Sequence, residues 1–540
     1  MRISLILDTR APLRWHGWLA AELAARGLVR IGLGTAASHR APAGGGNGPG
    51  RRDTSGAPAA AALLLRLERA AGRAPHPSPF DVLAASDPLL GALSQGETVA
   101  DATADLAIDL CDPGRSRDAA GATAGSAPSL RPAAPARRLR PLYDGRPGAA
   151  SLWAALLAGR APVVSVSCDD GSPAESRAVP YALPALEDPQ LLDASAAMVL
   201  ARVAEALAAA AADLARRRPL TPRVAGPIPR TAAGAGTAAR FVAATLAAKG
   251  RRWLDRRSTP PGQWRVGYRA GHGSRTGTAR PLDLADFTLL PDDGRRYYAD
   301  PFLFQHQGQL HLFVEEFPFA TRRGLIAHAV LGPDGRFPTP RPLLERETHL
   351  SYPQVFAHDG RVWMIPESSA GGGIDLYRAD PFPGRFALHA RLLDGPYHDA
   401  TLFARNGRLW LAAGSQTLAG TRAGSSWDAL SLFFADHLEG PWTPHPMNPV
   451  VVDVRGARPA GELFEADGAL WRPAQDCSQG YGWALTLCRV ERLTTEDYAE
   501  TPTARLAVAG TLRAAAGPFG PHTLNSAGGY EAIDIFSPPS

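Results

Sequence analysis

Four copies of one nine-residue pattern govern what the second half of this chain can fold into. They read Leu303-Phe-Gln-His-Gln-Gly-Gln-Leu-His311, Val355-Phe-Ala-His-Asp-Gly-Arg-Val-Trp363, Leu402-Phe-Ala-Arg-Asn-Gly-Arg-Leu-Trp410 and Leu463-Phe-Glu-Ala-Asp-Gly-Ala-Leu-Trp471. An Asn-Gly or Asp-Gly centre in three copies predicts a tight hairpin, because both central residues of such a turn take positive φ. The repeated glycines Gly308, Gly360, Gly407 and Gly468 stand 52, 47 and 61 residues apart, the length of a four-stranded propeller blade. Strand-like flanks at Trp264–Arg269 and His522–Phe536 bring the count to five blades and are expected to close the ring together. The rival fold for the same pattern is an unclosed β-sandwich with unrelated hairpins.

A turn centred on Gln307-Gly308 places Phe304 opposite His311, Phe302 opposite Phe313 and Asp300 opposite Glu315. The same offsets pair Tyr352 with Glu367, Asp399 with Gly414 and Ala460 with Gln475. Polar residues recur at this rim of the blades: Asp300, Glu315, Glu316, Gln354, Glu367, His398, Asp399, Glu462, Gln475 and Asp476. Several carboxylates facing one cleft suit glycosidic chemistry, which needs one acid protonated and another ionised. An Asp at a strand start also caps turns, so Asp300-Pro301 has a purely structural alternative. Aromatic residues near the rim (Tyr297, Tyr298, Tyr352, Tyr397, Trp427, Trp442) suit either sugar stacking or packing between blades.

Residues 1–218 follow a different grammar. Strand candidates at Ile3–Leu7, Asp105–Leu110 and Val163–Val166 alternate with Ala/Leu-rich helical stretches, which predicts a doubly wound α/β, Rossmann-like layer. Ala41–Pro58 and Gly114–Arg137 are expected loops, and Pro219–Gly236 has linker composition. The Ala194–Ala212 run is interrupted by Arg202 and Glu205, so a packed helix is expected and no membrane span. Four scattered cysteines (Cys111, Cys168, Cys477, Cys488) fit neither a zinc cluster nor a disulfide framework. With an N-terminal apolar run too short for a signal segment, they point to reduced thiols and a cytoplasmic protein. Lys+Arg (57) exceed Asp+Glu (52) by only 5, and without a concentrated basic face no nucleic-acid partner is expected. No residue spacing calls for a metal or a cofactor.

Particular segments carry a resemblance. Tyr298-Ala-Asp-Pro-Phe302, Phe313-Val-Glu-Glu-Phe317, Tyr352-Pro-Gln354, Ile365-Pro-Glu-Ser368, His398-Asp-Ala-Thr-Leu402 and Arg472-Pro-Ala-Gln-Asp-Cys477 together resemble the propeller at the N-terminus of plant glucosamine inositolphosphorylceramide transferases and of bacterial relatives. That propeller is similar to the five-bladed arabinanase and xylosidase class, glycosyl hydrolase family 43-like. The resemblance implies catalytic roles as base, acid and pKa-tuning group for Asp300, Glu367 and Asp399. It also implies a glycosyltransferase partner, since sugar transfer in the plant enzymes is expected from a separate domain.

In the first half, Leu142-Tyr-Asp-Gly145, Trp153–Gly159, Val163–Val166 and Asp169-Asp-Gly171 resemble the core of formyltetrahydrofolate-dependent formyltransferases. Those enzymes use an Asn, a His and an Asp to pass a formyl group to an amine. Here the loop before Tyr143 reads Ala136-Arg-Arg-Leu-Arg-Pro141, with no His or Asn, and the expected Asp falls near Pro173. The resemblance therefore implies a degenerate formyltransferase-like domain.

The expected layout is a formyltransferase-like α/β domain over 1–218, a linker over 219–260 and a five-bladed β-propeller over 261–540. The expected role is carbohydrate-active: acting on or binding a sugar or glycolipid in cell-surface glycan synthesis or modification, as a hydrolase or transferase if catalytic. Substrate-binding candidates are Glu315, Glu316, Tyr352, Gln354, His398, Glu462, Arg472, Gln475 and Asp476. The alternatives are a non-catalytic glycan-binding or scaffold module for glycosyltransferases, and a sugar N-formyltransferase.

Overall fold

The chain divides into two units, Met1–Gly250 with Thr417–Ser425, and Arg251–Gln416 with Ser426–Ser540. A computed structural model describes residues 2–7, 12–28, 30–35, 59–70, 78–83, 105–110, 137–170, 178–224, 237–258, 263–271, 282–291, 293–416, 424–508 and 519–537. The expected loops Ala41–Pro58 and, but for Arg137, Gly114–Arg137 lie outside the described residues. So do Cys111, Gly171, Pro173 and, within the expected linker, residues 225–236 and 259–260.

The first unit is built on a mixed sheet. Its strands β1 (Arg2–Leu7), β2 (Arg30–Thr35), β3 (Leu106–Asp109), β4 (Arg138–Tyr143), β6 (Val164–Asp169) and β7 (Ala178–Ala182) run in the order β2-β1-β3-β4-β6-β7, and the short β5 (Arg146–Pro147) pairs with β4. The pairs β1–β2, β1–β3 and β3–β4 are parallel, whereas β4–β6 and β6–β7 are antiparallel. Only eight residues separate β6 from β7, fewer than the dozen or so that a parallel crossover needs.

Helices α1 (Arg14–Ala25), α2 (Ala59–Ala70), α3 (Ala149–Leu157) and α4 (Leu192–Ala215) accompany this sheet. The segment expected as linker contains a further 22-residue helix, α5 (Thr237–Ser258), and its alanine-rich first half favours that conformation. Helix α4 is long and apolar enough to cross a membrane, yet 83% of its apolar window is buried inside the protein. Within the unit Arg202 pairs with Glu205 at 2.7 Å and Asp213 with Arg223 at 3.4 Å, while Asp193 accepts from Ser78 Oγ at 2.8 Å.

The second unit holds five four-stranded antiparallel sheets. Blade one is β10 (Arg296–His306), β11 (Gln309–Pro318), β12 (Leu325–Val330) and β13 (Arg341–Leu344). Blade two is β14 (Ser351–His358), β15 (Arg361–Glu367), β16 (Gly373–Ala379) and β17 (Phe386–Asp394). Blade three is β18 (Tyr397–Arg405), β19 (Arg408–Ser415), β20 (Leu430–Ala435) and β21 (Thr443–Pro444). Blade four is β22 (Phe464–Ala466), β23 (Ala469–Asp476), β24 (Ala484–Leu493) and β25 (Tyr498–Leu506). The last blade joins the two flanks: β26 (Leu524–Ala527) and β27 (Tyr530–Ser537) pair onward to β8 (Gln263–Ala270) and β9 (Thr288–Leu289).

The repeat explains itself locally. Gln307-Gly308, Asp359-Gly360, Asn406-Gly407 and Asp467-Gly468 all take positive φ, as a two-residue hairpin turn requires. The closing tryptophans Trp363, Trp410 and Trp471 donate their indole N–H to the carbonyls of His358, Arg405 and Ala466 at 3.1–3.3 Å. His311 takes the Trp position in the first copy and meets His328 instead, Nδ1 to Nε2 at 3.0 Å. Apolar residues of neighbouring blades then pack face to face, as Phe302 and Phe313 do with Tyr352, Val355 and Met364.

The register follows the expected pairing only part of the way. Phe304 faces His311 and Phe302 faces Phe313, but Ala299, not Asp300, faces Glu315. Likewise Ser351 faces Glu367 and His398 faces Gly414, while Pro459 bridges Ala474. The cause is a bulge repeated in three blades, at a residue in the left-handed region: Asp300 (φ 49°), Tyr352 (φ 45°) and Asp399 (φ 51°). Gly461 takes φ 129° ahead of the fourth hairpin, where a Cβ would lie 2.1 Å from the Leu524 carbonyl oxygen. A bulge bends its strand and re-aims the side chain it carries.

Candidate active site

The bulged residues tie the blades into a ring of hydrogen bonds. Asp300 of blade one accepts from the Tyr352 backbone N–H (3.2 Å) and from Thr523 Oγ1 (2.8 Å). Tyr352 reaches blade three through Thr401 Oγ1 (2.9 Å), and its hydroxyl oxygen accepts the Gly461 N–H (2.5 Å). Gln354 exchanges two bonds with the Leu402 backbone, at 2.6 and 2.8 Å. Asp399 accepts from Arg458 Nε (2.6 Å) and Gln475 Nε2 (3.4 Å). Asn525 completes the circuit, taking the Glu462 N–H (2.8 Å) and donating to the Pro301 carbonyl (2.7 Å).

Asp534, fully buried, anchors the closure. It accepts the backbone N–H of Asp300, His522 and Thr523 at 2.8–3.1 Å and lies 2.7 Å from His522 Nδ1, while His522 Nε2 is 3.3 Å from Asp300. Among the described residues, Asp300, His522 and Asp534 form the one group whose metal-ligating atoms lie within 4.8 Å of one another. Their contacts to one another, to backbone N–H groups and to the Thr523 hydroxyl occupy those atoms, so the trio is a strut between the last blade and blade one.

Burial, assisted by Asp534 and Asp399 and opposed by His522, raises the Asp300 carboxyl to about 6. Burial works against the His522 imidazolium, but Asp534 and Asp300 outweigh it and raise its pKa above 6.5. Both groups hold protons more tightly folded than unfolded, so their stabilisation is present at low pH and lost as pH rises through the folded values. His311, His328 and His349, lowered by burial, act in the opposite sense and only below 6.5. The melting temperature is therefore expected to fall as pH climbs above about 6.5, and His522→Gln to flatten that fall. A melting temperature that rises over this range in the unmodified chain would refute the assignment.

Two further carboxylates are not consumed as struts. Glu315 on β11 is buried, and its Oε1 has no hydrogen-bond donor, with His349 Nε2 lying 3.4 Å away. Burial, reinforced by the carboxylates of Asp300, Asp534, Asp399 and Glu367, holds Glu315 well above the usual carboxylate value. His349 Nδ1 accepts the Gly324 N–H (3.0 Å), so neutral His349 carries its proton on Nε2, toward Glu315. Glu367, at the end of β15, accepts from Ser369 Oγ (2.5 Å) and Ser369 N (3.2 Å), with His398 Nδ1 at 3.5 Å. Burial pushes Glu367 up, but the His398 and Ser369 bonds and the Arg458 charge outweigh it and leave the group below its ordinary value. His398 Nε2 is buried with no hydrogen-bond partner. Neighbouring blades thus carry one acid that keeps its proton and one that gives it up.

Not every sequence candidate joins this cluster. Glu316 alternates to the other face of β11 and pairs with Arg296 at 2.5 Å. Arg472 is buried in blade four, held by Glu500 (2.5 Å) and the Gly456 and Ala457 carbonyls. Asp476 pairs with Arg505 at 3.0 Å, again on the face opposite its neighbour Gln475. Sequence reasoning missed His349, Arg458, His522 and Asp534. A signal existed for Asp534, a lone charge within the apolar run Ala532-Ile533-Asp534-Ile535, because charges so placed are nearly always paired.

Fold and site together define a five-bladed propeller with a carboxylate-lined centre. Residues 291–514 match the family described as glucosamine inositolphosphorylceramide transferase 1, N-terminal. The protein of that name from Oryza sativa subsp. japonica is 32% identical over 261 residues, covering 45% of this chain and 35% of the relative. Its Arabidopsis thaliana counterpart is 33% identical over 248 residues, covering 45% and 32%. The chain therefore spans about a third of the length of the curated relatives it matches. Similar solved structures include the Cellvibrio cellulosa alpha-L-arabinanase complexed with arabinohexaose (TM-score 0.30, 18% identity, 39% of this chain and 78% of that one). A family 117 glycoside hydrolase produced by Zobellia galactanivorans also matches (TM-score 0.33, 13% identity, 51% and 90%).

Proposed function

We propose that this chain is a carbohydrate-active protein whose propeller acts on a sugar or glycolipid at the Glu315–Glu367 pair. The observation that carries the proposal is the placement of two carboxylates on adjacent blades, Glu315 buried with an Oε1 that has no hydrogen-bond donor and Glu367 held by Ser369 with His398 at 3.5 Å, and their opposite pKa directions agree with it. Glu315, kept protonated, is suited to give a proton to a leaving oxygen, and Glu367, kept ionised, to stabilise developing positive charge or activate an attacking group. In this reading Glu315 is the proton donor, and Asp300 and Asp399 are positioning residues within the ring. The family match supports the reading, because it spans both acids. The relatives are named glucosamine inositolphosphorylceramide transferase 1, which agrees with a sugar or glycolipid substrate.

The α/β unit is read as a formyltransferase-like scaffold without the His and Asn that formyl transfer needs, so no formyl chemistry is assigned to it. The direct test is retention of the full chain on an immobilised panel of neutral, amino and acidic glycans. Retention of at least one glycan is expected, and a Glu315→Gln/Glu367→Gln double variant should still retain it but no longer turn it over. A folded chain that retains no glycan would overturn the proposal.

A further inference from the structure

Strand alternation carries the face of the candidate proton donor out to the surface. Along β11 residues two apart share a face, so Phe313, Glu315 and Phe317 lie on one side. Pairing continues past the strand end, where the Phe319 N–H donates to the Arg295 carbonyl at 3.0 Å, and Phe319 extends the same line. Exposure rises along it: Phe313 and Glu315 are buried, Phe317 is half-buried and Phe319 is 42% exposed.

Phe319 does not stand alone. Tyr297, directly opposite Phe317 on β10, stacks on it with ring centroids 4.8 Å apart and planes 7° from parallel. The Tyr297 ring lies 6.3 Å from that of Phe319, and the Phe317 ring lies 6.1 Å from that of His349. His349 Nε2 is in turn 3.4 Å from the Glu315 Oε1 that has no hydrogen-bond donor. One aromatic surface therefore runs from the buried acid to solvent. Burial, and then the charges of Glu315 and Asp300, keep the Tyr297 phenol protonated, so this part of the surface is neutral. A single exposed apolar side chain calls for no ligand. Three aromatic rings at the mouth of an acid are different, because they offer a flat π-face to the C–H face of a sugar ring. A rigid sugar ring loses little conformational freedom on such a surface, whereas an alkyl chain would lose much.

We propose that Tyr297, Phe317 and Phe319 form the subsite for the leaving group, and that this group is a second sugar ring. The proposal rests on the acid-pair reading above and adds the substrate class, a glycan of at least two sugars divided between them. The platform shares its strand and face with Glu315, the proton donor, so the oxygen that receives the proton departs with the sugar stacked there.

Cellobiose, chitobiose and galactobiose, each beside the methyl glycoside of its monosaccharide, and octyl glucoside test it by ligand-observed NMR on the full chain. At least one disaccharide is expected to bind about tenfold tighter than its methyl glycoside, the order that aromatic stacking supplies. Phe319→Ala should reduce the disaccharide to the affinity of the methyl glycoside, and Phe319→Trp should keep the gain. Because Phe319 is exposed, its truncation leaves no cavity in the blade. Disaccharides that bind no tighter than their methyl glycosides, or a gain that survives Phe319→Ala, overturn the platform alone. Octyl glucoside binding tighter than every disaccharide overturns the second sugar in favour of an apolar leaving group. A folded chain that binds none of these probes overturns the carbohydrate reading as well.

Discussion

Glu367→Gln is expected to lower turnover of a glycan retained by this chain about 10²–10⁴-fold, the usual contribution of a positioned acid or base. The substitution keeps the side chain's shape and lets its oxygen go on accepting from Ser369, so the ring of blades should persist and glycan binding with it. What disappears is the negative charge that His398, Ser369 and Arg458 keep in place. Glu315→Gln should produce a loss of similar order by the opposite route, because it removes a proton that burial retains. The pH profiles separate the two. Unmodified turnover should fall at high pH as Glu315 ionises, and that limb should be missing from whatever activity Glu315→Gln retains. Unchanged turnover in Glu367→Gln would end the catalytic assignment. Glycan binding without any turnover by the unmodified chain would favour a module that positions a glycosyltransferase.

The second large effect is on stability. Arg472→Ala is expected to cost about 3–5 kcal/mol, because breaking a buried ion pair strands the surviving charge. Glu500 would lose both guanidinium contacts, at 2.5 and 2.8 Å, and keep the neutral donors of Tyr498 (2.5 Å) and Cys488. The Gly456 and Ala457 carbonyls would also lose their donors. Urea unfolding monitored by tryptophan fluorescence reads this directly. Glycan affinity of the folded fraction should not change, since Arg472 faces the interior of blade four. A variant of normal stability with weakened glycan binding would place Arg472 at the substrate instead.

Arg472 and Glu367 illustrate how far the sequence could be read. The family-like segments containing them identify the part of the chain that matters, and neither side chain is exposed. Yet one is a strut and the other an unconsumed acid, and nothing local separates them. The partners that decide, Glu500 for Arg472 and His398 and Arg458 for Glu367, come from elsewhere in the chain. The same limit applies to the bulges. Left-handed backbone suits Asp300 and Asp399, a residue type enriched there, but not the bulky Tyr352. The strain, of order 1–3 kcal/mol at each, is offset by hydrogen bonds to neighbouring blades, which no local pattern records.

By itself the sequence determined the period, the hairpin turns, the number of blades and the closure of the last blade by both chain ends. These depend on residues near one another, where turn chemistry and alternation act directly on the backbone. Only the tertiary structure decided which acids are struts and which remain for chemistry. Protonation of a carboxylate is set by burial and by charges brought from afar, as Asp534 is brought to Asp300 across 234 positions. The rim of acids was legible in the sequence, but the division of labour along it was not.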